Sequence, residues 1–357
     1  MIIKAKAPGK LILIGEYAVL EGSSALVMAT DRYAVSSIKA SHNNSNIIRS
    51  SNLKGHTFSF SVDNNAAVSF SSDVSKIFID KLKYFILSFE HAYKTINTSN
   101  SLPPLSINID TSDFFLEDSG VKLGLGSSAA VTTSIYGGLL SYWKQTSGEK
   151  YSRKTLFNNA NNIHRLAQDK IGSGIDIAAS VCGGVLQYQL ADKDKPNSAI
   201  MQKIDMPSSL HILPVWTGKQ ASTTEMVSSI NHYYQKERKA YHKFITEMSD
   251  LSQQGCLALT KNSISDFLAI IKSYYQILKK FGKKSNVPII SIPHKKIADM
   301  VYQSEKSVYK PSGAGGGDFG IVFSQSENEL IYLKNKIEKN GFKIFDIGLS
   351  QKGFHVS

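Results

Sequence analysis

The stretch Lys122-Leu-Gly-Leu-Gly-Ser-Ser-Ala-Ala130 governs the reading of the whole chain. Its glycines and small residues run straight into a helical pattern over Ser127–Trp143, so Gly124, Gly126 and Ser127 would present backbone N–H groups at a helix start. Such a terminus binds phosphate through its unpaired donors and the positive end of the helix dipole. A plain glycine turn capped by serine has the same outline. Two serines followed by two alanines favour phosphate, because they allow close approach and leave one hydroxyl over for a metal ion.

Other nucleotide loops do not fit. Gly124 to Ala129 spells GxGxxA, but that dinucleotide loop follows an apolar strand, and Glu117–Lys122 is polar. Asp318-Phe319-Gly320 spells DFG without a preceding HRD, and no GxxxxGK[ST] occurs. Two more glycine-bearing stretches stand out, Lys6–Tyr17 (KAPGKLILIGEY) and Lys310–Gly320 (KPSGAGGGDFG). In the first, Lys10 follows an expected Pro-Gly turn and precedes the apolar Leu11–Ile14. A charge there is either a plain surface lysine or faces something anionic.

The 357 residues are 42% hydrophobic and 20% charged, which excludes disorder and suggests two domains. Cys182 and Cys256 are the only cysteines and lie in apolar contexts, so a disulfide scaffold and cysteine metal clusters are excluded and a reducing compartment is favoured. The nine histidines lack zinc-like spacing. With no signal-like or membrane-length apolar run, a cytoplasmic protein without a membrane partner is expected. The net charge of +12 favours anionic partners. Its lysines are spread, with short clusters only at Lys279–Lys284 and Lys295–Lys296, so no nucleic-acid partner is expected.

Alternating and β-branched patterns predict strands over Ile2–Ala7, Leu11–Ile14, Ala25–Ala29, Tyr33–Ile38, Ile47–Ser51, Thr57–Val62 and Leu105–Asp110. Helices are predicted over Lys76–Tyr93, Ser127–Trp143, Ser152–Gln168 and Ser173–Val181, then strands over Val185–Leu190 and Ala199–Asp205 around a polar turn at Asp192–Asn197. A boundary falls near 205. Beyond it come a strand at Leu210–Thr217, helices over Ser222–Gln253, Ser263–Phe281 and Pro293–Ser304, and strand–helix–strand over Gly320–Ser324, Glu327–Asn340 and Phe342–Ile347. That second half suits a ferredoxin-like α/β sandwich.

In this order, the three glycine stretches closely resemble the motifs of the GHMP kinases, and the resemblance covers the whole chain. Gly15-Glu16-Tyr17-Ala18-Val19, Gly315-Gly316-Gly317-Asp318, and Ala167 to Ala179 (AQDKIGSGIDIAA) look like the phosphomevalonate kinases within that superfamily. Trp216-Thr217-Gly218 with Ala221-Ser222-Thr223 is similar to a further loop found there. Mevalonate kinases usually place a magnesium-binding Glu eleven residues before the motif Asp, where this chain has Arg165. A cation cannot ligate a cation.

The resemblance implies an α+β, two-domain GHMP-kinase fold: a ribosomal-protein-S5-like N-terminal ATP-binding domain over 1–205 and a ferredoxin-like domain over 206–357. It implies ATP-dependent phosphorylation of 5-phosphomevalonate, with mevalonate kinase as the alternative. A non-catalytic ligand-binding member is a further rival, disfavoured because Lys10, Ser128 and Asp176 are all present. ATP would lie against Lys122, Gly124, Leu125, Gly126, Ser127, Ser128 and Ala129, with Mg²⁺ on Ser128. Lys10 and Asp176 would be catalytic, and Lys10, Tyr17, Ser173, Ser312, Gly313 and Ala314 would meet the acceptor. Asp176 would be a general base for an alcohol acceptor, or would position Lys10 and a dianionic phosphate. Asp318 could simply brace the third loop. The partners expected are small molecules, and the protein a monomer or homodimer.

Overall fold

Lysines alternate with apolar residues from Ile2 to Ala7, so the chain opens as a strand with one face buried. Beyond Pro8 every residue to Ile14 is buried, because both faces are covered. The structure, a computed structural model, describes residues 1–42, 44–53, 55–96, 102–117, 119–147, 151–168, 172–192 and 198–357. Residues 169–171 of the AQDKIGSG stretch and 193–197 of the expected polar turn lie outside the described residues.

The first sheet takes β1 (Ile2–Ile14), β2 (Ala25–Ala40), β3 (Asn46–Ser50), β4 (Thr57–Val62), β5 (Val68–Phe70), β6 (Leu105–Asp110), β7 (Val185–Leu190) and β8 (Ala199–Ile204). The core path runs β1-β2-β6-β3-β4-β5, while β7 pairs with the start of β2 and carries β8. Every pairing is antiparallel except β3 with β6. Helices α1 (Lys76–Lys81), α2 (Lys83–Ile96), α3 (Ser127–Ser147), α4 (Arg153–Ala167) and α5 (Ile175–Cys182) follow in the same half. Ile135, Tyr136, Leu139 and Phe157 of these helices share a core with Ile3, Ala5 and Ile12 of β1.

The second half contains β9 (His211–Trp216), α6 (Thr223–Lys236), α7 (Arg238–Thr260), α8 (Ile264–Ser285), α9 (Ile292–Val301), β10 (Ser307–Pro311), β11 (Phe319–Ser324), α10 (Glu327–Lys339) and β12 (Lys343–Ile344). Its antiparallel sheet has the order β10-β11-β9-β12, the ferredoxin-like arrangement expected. α9 and α10 pack on one face through Ile297, Val301, Leu333 and Ile337. On the other, Phe267, Ile271, Leu278, Ile321 and Phe323 merge with Leu11, Leu13, Leu26 and Met28 of the first sheet. One apolar layer thus seals the two halves together. The chain then returns: Ser350 exchanges backbone hydrogen bonds with Ala29 and Gly184, and β13 (His355–Val356) pairs with Ala5 and Lys6 of β1. Among the described residues no helix is long and apolar enough to cross a membrane.

Four sequence expectations need correction. Pro8-Gly9 is not a turn: it is a bulge within the unbroken β1, with a register shift between Pro8 and Lys10. At a bulge the ladder is already interrupted, so the N–H that proline lacks is not missed, and its carbonyl accepts from the Ser180 hydroxyl at 2.8 Å. The two strands expected over Ala25–Ile38 are likewise one. The helix expected over Lys76–Tyr93 breaks at Leu82, and that over Ser222–Gln253 breaks at Glu237, where the backbone turns out of helical geometry (φ −133°). Strands β5, β10 and β13, of three, five and two residues, were not anticipated, because such short runs carry too little periodicity.

Candidate active site

The site is built outward from the β1 bulge. Gly9 lets the strand pass against the second glycine loop, since a Cβ there would fall 2.6 Å from the Leu125 carbonyl oxygen. The next N–H, of Lys10, donates to that same oxygen at 2.8 Å. Two residues on, the Ile12 N–H donates to Ser312 Oγ of the third loop at 2.8 Å. One strand therefore fixes both loops.

Lys10 is 8% exposed, and its side chain lies over Gly126 with the ammonium 3.7 Å from Asp176 Oδ1. Asp176 stands in the first turn of α5, after Gly174, whose φ of +86° puts it in the left-handed region that favours glycine. Gly124 has its own requirement, because a Cβ there would meet Asp318 Cγ at 2.2 Å. Asp318 bridges two segments: its Oδ1 accepts from the Ala221 N–H at 3.3 Å, and its backbone pairs with Thr217 and Lys219. Burial raises the pKa of the Asp318 carboxyl against the pull of that N–H and of Lys10 and Lys122. Burial also lowers the Lys122 ammonium, and Asp318 opposes this.

Ser128, in the first turn of α3, is hydrogen-bonded through Oγ to His164 Nε2 at 3.0 Å. Burial holds the His164 ring down to about 4, with Asp176 opposing and Lys122 and Lys83 adding to the shift, so it is neutral at pH 7. Its ring stacks on Tyr84, which accepts from Gln168 Nε2 at 3.3 Å.

Beneath the third loop, the ammonium of Lys310 donates to Glu16 Oε1 and to the Pro311 carbonyl, and Glu16 Oε1 also accepts from the Gly313 N–H at 3.2 Å. Both side chains are buried, and Glu16 Oε2 has no partner among the described residues. Tyr17, at a left-handed φ of 62°, donates its hydroxyl to the Ala314 carbonyl; burial, reinforced by Glu16, pushes that hydroxyl's pKa well up.

These groups line a cavity of about 350 Å³. Of the residues singled out from the sequence, the structure brings Lys10, Tyr17, Lys122, Gly124, Gly126, Ser128, Ser173, Asp176, Gly313 and Ala314 together on the cavity wall. Leu125 and Ala129 do not reach it, because their side chains belong to the two cores. Ser127 and Ser312 also stay out of the lining, the latter being spent on Ile12. Sequence reasoning missed His164, Glu16 and Lys310 as parts of the site. Glu16 and Lys310 lay inside quoted motifs, but only the fold pairs positions almost three hundred residues apart. The lone His164 carried no signal.

Residues 84–184 match the family "GHMP kinases N terminal domain". The chain is 25% identical to a phosphomevalonate kinase of Streptomyces sp. (strain CL190), covering 94% of each chain. It is also 25% identical to a mevalonate kinase of Thermococcus sibiricus, covering 97% of this chain and 99% of that one. Its structure is similar to that of the Streptococcus pneumoniae phosphomevalonate kinase in complex with phosphomevalonate and AMPPNP. There the TM-score is 0.77 at 20% identity, over 97% of this chain and 99% of the other.

Proposed function

We propose that this chain, whose residues 84–184 match the GHMP kinase N-terminal domain and whose fold is that of the GHMP kinases, is a GHMP kinase of the mevalonate route to isoprenoids, transferring the γ-phosphoryl group of ATP to 5-phosphomevalonate. The products are 5-diphosphomevalonate and ADP. The observation that carries this reading is the Lys10–Asp176 pair, 3.7 Å apart, at a cavity onto which all three glycine loops open. Residues 1–205, joined by the returning segment 349–357, then form the ATP-binding domain, and 206–348 its partner. The free thiols Cys182 and Cys256 suit a reducing compartment such as the cytoplasm.

Phosphoryl transfer asks mainly for positioning and charge stabilisation. The N-terminus of α3, with Lys122 beside it, offers N–H donors and positive charge for the triphosphate. Lys10 meets the transferring group, where its charge offsets the negative charge that develops. A phosphate acceptor with a second pKa near ~6 is largely dianionic at pH 7 and needs no base. Asp176 accordingly holds Lys10 and orients the acceptor. Tyr17, Ser173, Gly313 and Ala314 shape the acceptor's end of the cavity, with Ser312 holding their loop on β1.

The donor set fits Mg²⁺, a hard cation that takes oxygen ligands. Ser128 reaches the cavity, and its hydroxyl oxygen carries two lone pairs, so it can keep its hydrogen bond to His164 and still ligate a metal. Ser128 would hold the ion, which when bound neutralises phosphate charge. The metal-ligating Glu usual in mevalonate kinases is replaced by Arg165, which favours the phosphate acceptor. A second reading, mevalonate kinase, draws on the relatives of that name.

The test is a coupled ADP-release assay with mevalonate, 5-phosphomevalonate, homoserine and galactose. The highest kcat/KM is expected with 5-phosphomevalonate. A higher value with mevalonate would overturn the acceptor while leaving a GHMP kinase.

A further inference from the structure

We propose that Arg165 is a phosphate-binding residue of this site, its guanidinium fork receiving the non-bridging oxygens of a substrate phosphoryl group. The proposal rests on the kinase reading above and adds a binding residue to it.

Arg165 occupies the last turn of α4, half-buried, in the wall of the cavity between His164 and Gln168. One of its Nη1–H groups donates to the Gly172 carbonyl at 2.7 Å. That bond fixes the plane of the guanidinium and ties it to the turn that carries Ser173 and leads into Asp176. An arginine has five N–H donors and no acceptor. Among the described residues only the Gly172 carbonyl takes one of them, and no carboxylate pairs with Arg165.

Two other charges of the wall have ion-pair partners: Lys10 faces Asp176, and Glu16 is held by Lys310. Arg165 thus adds a cation to the wall of a cavity that Lys10 and Lys122 also line. Planar paired donors match phosphate oxygens two at a time, which a lysine cannot do. The position points to the acceptor's side of the cavity. Arg165 is bonded to the Gly172 carbonyl, and Gly172, Ser173 and Asp176 of the turn that follows all line the cavity beside it. The phosphoryl group can belong to the acceptor or to ATP, and the chemistry recognised is the same.

The experiment uses the full chain with two substitutions. Arg165→Gln keeps an N–H donor for the Gly172 carbonyl and removes the charge, and Arg165→Lys keeps the charge and removes the fork. KM is measured separately for ATP and for 5-phosphomevalonate, and ATP binding is measured directly without acceptor. Arg165→Gln should raise KM for the phosphate it holds by about 10- to 100-fold, the loss of charge-assisted hydrogen bonds, with Arg165→Lys in between. A rise for 5-phosphomevalonate with ATP binding unchanged assigns the acceptor's phosphate; the converse assigns that of ATP. Both constants within twofold of wild type in folded Arg165→Gln would overturn the proposal. So would an equal rise in both that Arg165→Lys does not relieve, because that marks a purely structural role. If the wild-type enzyme preferred mevalonate, the acceptor reading would fail by itself, and the ATP measurements would still decide the role of Arg165.

Discussion

Lys310→Met should destabilise the protein by about 3–5 kcal/mol, the cost of removing one partner from a buried ion pair. Lys310 has no exposed surface, and its ammonium is shared between Glu16 Oε1 and the Pro311 carbonyl. Methionine nearly matches the volume of the stem, so packing changes little and the loss is electrostatic. The carboxylate of Glu16, 2% exposed, would be left with only the Gly313 N–H. Glu16→Gln produces the mirror defect, an unpaired buried ammonium, and should cost a similar amount. The double variant removes both charges and should recover about 2 kcal/mol or more of the summed losses. Urea unfolding followed by tryptophan fluorescence measures this, with Trp143 on α3 and Trp216 on β9 reporting the two halves separately. With a slope of about 3 kcal/mol per molar urea, the midpoint should fall by about 1 M or more. A Lys310→Met midpoint within about 0.2 M of wild type, or a double variant as unstable as the sum of the singles, would refute the reasoning.

Lys10→Met should lower kcat by at least ~10²-fold, the scale of losing one preorganised charge donor; near-normal kcat in a folded variant would remove Lys10 from the chemistry. If Asp176 only positions Lys10 and the acceptor, the acid limb of the pH–rate profile should follow the acceptor's ionisation near pH ~6 and survive in Asp176→Asn. Loss of that limb in a still active variant would make Asp176 a general base. Gly124→Ala should raise KM for ATP by about tenfold or more, since a methyl group 2.2 Å from Asp318 Cγ must displace the loop and a left-handed alanine costs about 1–2 kcal/mol; an unchanged KM would contradict the tight loop contact. His294, fully buried between Tyr309 and the Gly317 carbonyl, has its ring held down to about 4 by burial. Its folded pKa lies below the unfolded value of about 6.5, so its share of stability is intact above pH ~6.5 and lost as the pH falls to about 4, to a total of about 3 kcal/mol. The urea-midpoint gap between wild type and His294→Gln should narrow over that range, and a constant gap would refute it.

Much of the fold was legible wherever the sequence carries a local period. β4, β6 and β7 lie where alternation placed them, and α3 starts at Ser127 because the glycines before it cannot continue a helix. What the sequence hides is pairing over distance. Nothing local marks Ser307–Pro311 as a buried strand, because Lys310 and Pro311 both speak against one, and the burial of Lys310 makes sense only with Glu16 beside it. The loops of the site were visible as glycine patterns, but their reason was not. Gly9 and Gly124 are small because Leu125 and Asp318 pass against them. His164 meets Ser128 only through the packing of α4 on α3, and a single histidine in an amphipathic helix announces no partner.

The return of the chain to β1 makes the backbone cross between the two halves twice, once between Ile204 and His211 and again between Ile344 and Leu349. Two bodies joined by one tether can turn about any axis through it; joined by two separated tethers they retain essentially one, the line through both. The apolar layer shared by the two bodies opposes that remaining rotation as well, so the halves keep one relation to each other. Residues 217–224 and 312–318, carried by the second body, are thereby held at a set distance from Lys10, Ser128 and Asp176 of the first, with the Ile12–Ser312 bond spanning the seam.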